Sequence, residues 1–178
     1  MMTKECFISV DIEASGPIPG EYSMLSLGAC IVGAHDVSFY TELKPISTSF
    51  DPAAIEVSGF DLAVLEKTGE DPLVAMLKLK QWIEASSGDA KPVFVGFNGC
   101  YDWQFVNWYF IKFVGSNPFG FGGIDIKSYF MGKHSLPWSK TTSSQLPLKY
   151  RPDTPQTHNA LDDAKAQASI FGKMLAFR

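Results

Sequence analysis

Residues Cys6 to Ile12 (CFISVDI) form an apolar run that closes on two carboxylates, Asp11 and Glu13. A short apolar run bounded by turn residues reads as a buried strand. Residues two apart on a strand leave the same face, so Asp11 and Glu13 point the same way. Two carboxylates at the end of a buried strand are costly unless something compensates them. The chain therefore needs a sheet whose interior holds this strand and whose end opens to solvent or to cations.

The rest of the pattern supplies that sheet. EASGPIPGEYS is turn chemistry, with Gly16, Pro17, Pro19 and Gly20. Met24 to Gly33 and Val37 to Lys44 read as second and third strands, and His35 with Asp36 sits at their hairpin connection. Asp51-Pro52 and Asp71-Pro72 each start a helix, by N-cap and first-turn proline. The second helix carries Leu73, Met76, Leu77, Leu79 and Ile83 on its apolar face and ends near Ser86-Ser87-Gly88. Pro92 to Asn98 is a short strand, followed by a helix over about Tyr101 to Val114 and a loop from Gly115 to Gly123. IDIKSYFM is a strand end feeding a helix, Met131 to Pro155 is irregular, and Asn159 to Phe177 is a final helix. This order predicts an α/β fold. Its sheet is mixed, antiparallel in the first three strands and parallel in the later ones, with helices on its faces. The 178 residues, 46% hydrophobic, suit one domain spanning 1–178.

The net charge of −4 argues against a protein that coats long duplex DNA by counterion release, and leaves room for one that holds a few nucleotides. Cys6, Cys30 and Cys100 show no CxxC or CxxH spacing and read as free buried thiols in a reducing compartment. The first residues turn acidic too soon for a signal peptide, and no apolar run approaches about 18 residues. A cytoplasmic protein with no membrane span is expected.

Two further segments can meet Asp11 and Glu13. Asp102 falls in the first turn of the helix after the Pro92 to Asn98 strand, where the helix dipole favours a carboxylate and open α/β sheets place their sites. Near the end, THNALDDAKAQA sets His158 and Asp163 five residues apart, which on one continuous helix would part them. Asn159 as N-cap resolves this, with Asp162 closing a capping-box-like turn. His158 then stands on a loop, free to meet a water as general base, and Asp163 lies in the first helical turn. Four carboxylates that converge repel one another unless divalent cations sit between them, and paired ions serve in-line phosphodiester cleavage.

VDIEASG, VGFNGCYDWQFV and HNALDDA together resemble the three motifs of the DEDDh exonuclease family, which includes RNase T, oligoribonuclease and bacterial proofreading exonucleases. The resemblance spans roughly residues 6 to 175. It implies a ribonuclease H-like fold with five strands, and hydrolytic removal of nucleotides from 3′ ends of single-stranded DNA or RNA. It implies two Mg²⁺ or Mn²⁺ ions held by Asp11, Glu13, Asp102 and Asp163, with Asp11 bridging and His158 as general base. One departure is Phe97, where the family often has a histidine before Asn98.

Substrate contacts are expected from Ala14, Ser15 and Gly16, whose backbone N–H groups could hold the terminal nucleotide. Met24 and Leu25 are expected to wedge against the last bases, and Asn98 to stand beside the site. Lys127 to Arg151 holds five basic residues and no acid, which leaves −9 on the remaining chain. Tyr129, Phe130, Trp138 and Tyr150 are interleaved there, the pairing that single-strand binding uses. Lys140, Lys149 and Arg151 are the expected phosphate contacts. Two alternatives are a non-catalytic nucleic-acid-binding module of the same fold and a phosphodiesterase for dinucleotides or small phosphate esters. A free-standing enzyme is expected, either monomer or homodimer.

Overall fold

In a computed structural model that describes residues 4–152 and 157–177, the first apolar run forms β1 (Glu5–Ala14) at the centre of a five-stranded sheet. β2 (Met24–Ile31) and β3 (Ala34–Glu42) extend the sheet on one side, both antiparallel to their neighbours. β4 (Lys91–Gly96) and the short β5 (Gly123–Asp125) extend the other side, both parallel. The order β3-β2-β1-β4-β5 is the mixed sheet expected from the sequence.

Six helices flank this sheet among the described residues. They are α1 (Pro52–Ser58), α2 (Leu62–Thr68), α3 (Pro72–Ser87), α4 (Cys100–Tyr109), α5 (Ile126–His134) and α6 (Ala160–Ala176). Alternation along β1 divides the interior. Ile8, Val10 and Ile12 pack with Met76, Leu79 and Ile83 of α3 and Phe105, Val106 and Tyr109 of α4. Phe7, on the opposite face, packs with Phe171 and the cluster of α5 and α6. Each fully buried phenylalanine contributes about 1.5–3 kcal/mol of transfer free energy. Asp11 and Glu13 share the face of Phe7, so they point toward α6.

Several expectations shift. The β2–β3 turn is Val32-Gly33, with Ile31 paired to Ala34, and His35 and Asp36 belong to β3. Gly33 adopts φ +87°, a left-handed backbone that glycine accepts without strain, and this fixes the turn there. The sequence pattern did not announce α2, which starts without a proline; the Asp61 side chain caps it by accepting from Ala63 N and Val64 N. Leu73 and Leu77 of α3 are exposed, and its buried face is Pro72, Ala75, Met76, Leu79 and Ile83. α4 runs on into a π-helical turn, Phe110–Val114. Residues Met131 to His134 continue α5, and the irregular stretch beyond holds three 3₁₀ turns; its end at 153–155 lies outside the described residues. All three cysteines are free, yet only Cys30 is fully buried; Cys6 is half-buried and Cys100 exposed. No described helix is long and apolar enough to cross a membrane.

Candidate active site

β4 pairs with β1 only as far as Ser9, so the last turn of β1 has no strand beside it on that edge. Asp102, in the first turn of α4, fills the gap: its Oδ1 accepts from Ile12 N at 3.1 Å. A buried backbone donor is thereby satisfied and a buried carboxylate is anchored beside Asp11 and Glu13.

α6 reaches the same point from the other side. Gly28 lies opposite Asp11 in the β1–β2 register. A Cβ on Gly28 would lie 2.3 Å from the Ala160 carbonyl and Leu161 N, so only glycine lets the helix start this close to the sheet. Asn159 caps the helix, its Oδ1 accepting from Leu161 N and Asp162 N. His158 stands outside it at φ +57° with an exposed side chain. The capping acid differs from expectation. Asp163, rather than Asp162, reaches back to the backbone, its two oxygens accepting from Thr157 N (2.9 Å) and His158 N (3.1 Å). Asp162 accepts only a long contact from the Thr157 hydroxyl. The carboxylate of Asp163 thus also holds the loop that carries His158.

All five residues named from the three motifs meet here. Asp102 and Asp163 are buried, Asp11 and Glu13 half-buried. Burial, then Asp102, Asp163 and Glu13 in turn, raise the Asp11 pKa well above its ordinary value. Burial and the Asp163 charge push Glu13 up to about 7. Burial pushes Asp102 up to about 8, with Glu13 and Asp125 adding to it and the Ile12 N–H opposing. Among the described residues, none of these carboxylates makes an ion pair with a lysine or arginine.

A divalent cation fits it. Carboxylate oxygens of Glu13 and Asp163 and a ring nitrogen of His158 lie within 4.8 Å of one another, so the two carboxylates can face a cation with the imidazole beside it. Each carboxylate oxygen engaged by a backbone N–H keeps a second acceptor position. Carboxylate oxygens suit a hard divalent cation.

The expected substrate contacts fare unevenly. Met24 and Leu25 have no exposed surface; Met24 N donates to the Tyr109 hydroxyl and its side chain belongs to the core, so neither is presented to a base. Ser15 is also fully buried, and its N–H donates to Ser23 O rather than outward. Ala14 is buried, and Gly16 O accepts from the Tyr101 hydroxyl. Asn98 is exposed beyond β4 at φ +61°, its Oδ1 accepting from Lys127 Nζ, which lies 4.2 Å over the Trp138 ring. Lys140 is exposed; Lys149 Nζ lies 5.4 Å over the ring of Phe177, at the C-terminal end of α6 and so far from Asp163 in its first turn, which removes it from the expected contacts; the Arg151 guanidinium donates to Leu146 O and Ser144 O. Of the interleaved aromatics, Phe130 and Tyr150 are core, Tyr129 is half-buried against Phe171, and Trp138 is half exposed.

Three contributors were not anticipated from the sequence. Gly28 left no signal, because its role is a close approach across the fold. Asp125 sits at the carboxyl end of β5 and caps α5, a place that marks site residues in such sheets. Gln167 follows Asp163 by four residues, one helical turn on, and its amide donates to Asp11 Oδ1.

This arrangement is that of the DEDD exonucleases. The chain resembles a solved 3′-exonuclease described in 3′-end specific recognition of histone mRNA stem-loop, with TM-score 0.70 and 17% identity over 96% of this chain and 63% of that one. It resembles E. coli exonuclease I in complex with a dT13 oligonucleotide at TM-score 0.72 and 14% identity, over 98% of this chain and 42% of that one. The zinc-bound form of the E. coli exonuclease I–ssDNA complex gives TM-score 0.72 and 14% identity, over 97% and 41%. The chain thus spans under two thirds of these solved proteins, and the likeness to them is one of fold. No protein-family model matches the chain. In sequence, it is 48% identical over 169 residues to the 3′-5′ DNA exonuclease Cap18 of Escherichia coli, over 94% of this chain and 90% of that protein. The chain belongs to this DEDDh-type family of 3′–5′ exonucleases.

Proposed function

We propose that this exonuclease acts on single-stranded DNA and hydrolyses the terminal phosphodiester with two divalent ions, Mg²⁺ or Mn²⁺, held by Asp11, Glu13, Asp102 and Asp163. The observation that carries the reading is the convergence of four carboxylates and His158, from three separated segments, at the end of β1. DNA is chosen because the 48% identical relative is named a DNA exonuclease. When bound, the ions supply positive charge for the carboxylates and for the phosphate oxygens that gain charge in the reaction. His158, exposed on its loop, takes the proton of the attacking water. Asp163 fixes that loop through two backbone hydrogen bonds, so ligand and base are set by one side chain. Lys127, Asn98 and Trp138 form the polar and aromatic surface next to the site, and Lys140 extends its positive charge along the incoming strand. The chain acts as one exonuclease domain, and its free thiols fit the cytoplasm.

The test is a paired digestion of 5′-labelled single-stranded DNA and RNA of one sequence, with Mg²⁺ or Mn²⁺. A ladder that shortens from the 3′ end faster on DNA is expected, absent with EDTA, Asp11→Ala or His158→Ala. Faster cleavage of RNA would overturn the choice of DNA. Cleavage that persists in EDTA would overturn the metal mechanism.

A further inference from the structure

Gln167 is an uncharged polar side chain, 2% exposed, flanked along α6 by the buried Ala164, Ala168 and Phe171. A buried amide in such surroundings is costly unless both of its ends are used. Both are. Oε1 accepts from Phe97 N at 2.8 Å, and Nε2 donates to Asp11 Oδ1. The first contact fixes the second: only the oxygen can accept a backbone N–H, so the NH₂ group must face Asp11. One side chain therefore ties three segments together, namely β1, the residue just past β4, and α6. It also occupies a single lone pair of Asp11, and leaves Oδ2 and the rest of Oδ1 available.

We propose that Gln167 is a positioning residue for metal binding. It holds the Asp11 carboxylate in one orientation, with its remaining lone pairs toward the divalent cations. This rests on the metal-centre reading above and goes beyond it, because Gln167 touches neither the ions nor the substrate in that scheme. Partners that orient a ligand in this way set metal affinity as well as rate.

Two variants test it. Gln167→Met keeps length and apolar volume but has no amide. Gln167→Asn keeps the amide on a side chain too short to reach both partners. Wild type and both variants are titrated with Mn²⁺ alone by calorimetry, then assayed for kcat and for the KM of a single-stranded oligonucleotide. Mn²⁺ affinity is expected to fall about 10- to 100-fold in both variants, with kcat lowered and oligonucleotide KM within about twofold. Folded variants that bind Mn²⁺ within about threefold of wild type overturn the proposal. A raised KM with unchanged Mn²⁺ affinity also overturns it, since Gln167 would then serve the substrate. Should Gln167→Met fail to fold, Gln167→Asn decides. A wild-type protein that binds no Mn²⁺ overturns the metal-centre reading and the proposal with it.

Discussion

Replacing Gly28 by alanine adds one methyl group at the point where α6 rests on the sheet. That Cβ would lie 2.3 Å from the backbone of Ala160 and Leu161, against ordinary contacts of 3.4–4 Å. Backbone cannot rotate away as a side chain can, so the helix start must retreat by about 1 Å, a shift that costs about 100-fold in rate where geometry is critical. The retreat carries Asp163 and the His158 loop away from Asp11 and Glu13. Overpacking of this kind also costs about 1–3 kcal/mol of stability. Gly172, in the same helix, provides the contrast. A Cβ there meets only Val32 Cγ1 at 3.6 Å, so Gly172→Ala should stabilise by about 0.5–1 kcal/mol and leave activity intact. The assay is steady-state cleavage of a 5′-labelled oligonucleotide, beside thermal unfolding of each protein. A folded Gly28→Ala enzyme with wild-type kcat would refute the claim that this close approach sets the site.

Further expectations follow from the same geometry. In the metal-free protein, Glu13 titrates near 7 and Asp102 near 8, against ordinary values of 4.5 and 3.8. Between about pH 4 and 8 the fold holds protons that the unfolded chain has released, so stability falls as pH rises. Thermal unfolding in EDTA should show this fall, and Mn²⁺ should reverse it at pH 8; a flat profile contradicts the repulsion argument. Asp102→Asn keeps a carbonyl to accept the Ile12 N–H but removes a buried charge. It should raise the melting temperature of the metal-free protein at pH 8 while lowering kcat about 10³-fold, the loss of several kcal/mol of transition-state stabilisation. Changing Lys127 and Lys140 to alanine should raise KM and reduce the slope of log affinity against log salt by about 0.7 for each phosphate no longer neutralised; an unchanged slope would remove these lysines from the strand's path.

Much of this architecture was legible because its signals are local. β1 announces itself as an apolar run, α1 and α3 by Asp-Pro starts, and α6 by Asn159. The five candidate residues were legible as three motifs, which the fold brings together at the end of β1. What escaped has no local signal. Met24 and Leu25 resemble a surface wedge in sequence, and only the tertiary packing of Tyr109 over β2 makes them core. That Asp163 rather than Asp162 reaches back to the loop depends on side-chain reach at a helix start, where adjacent carboxylates look alike in sequence. Gly28 and Gln167 act across 132 and 156 residues of chain, through close approaches that no periodicity encodes.

In the proposed function, the acidic cluster at the end of β1 holds two cations. Its most direct test is the number of Mn²⁺ ions bound per chain by the EDTA-stripped protein, titrated at pH 8 with an uncleavable single-stranded DNA 3′ end present. Two ions are expected in the wild type and a loss of binding in Asp11→Ala. Equal binding in the two proteins, or none in either, would contradict it.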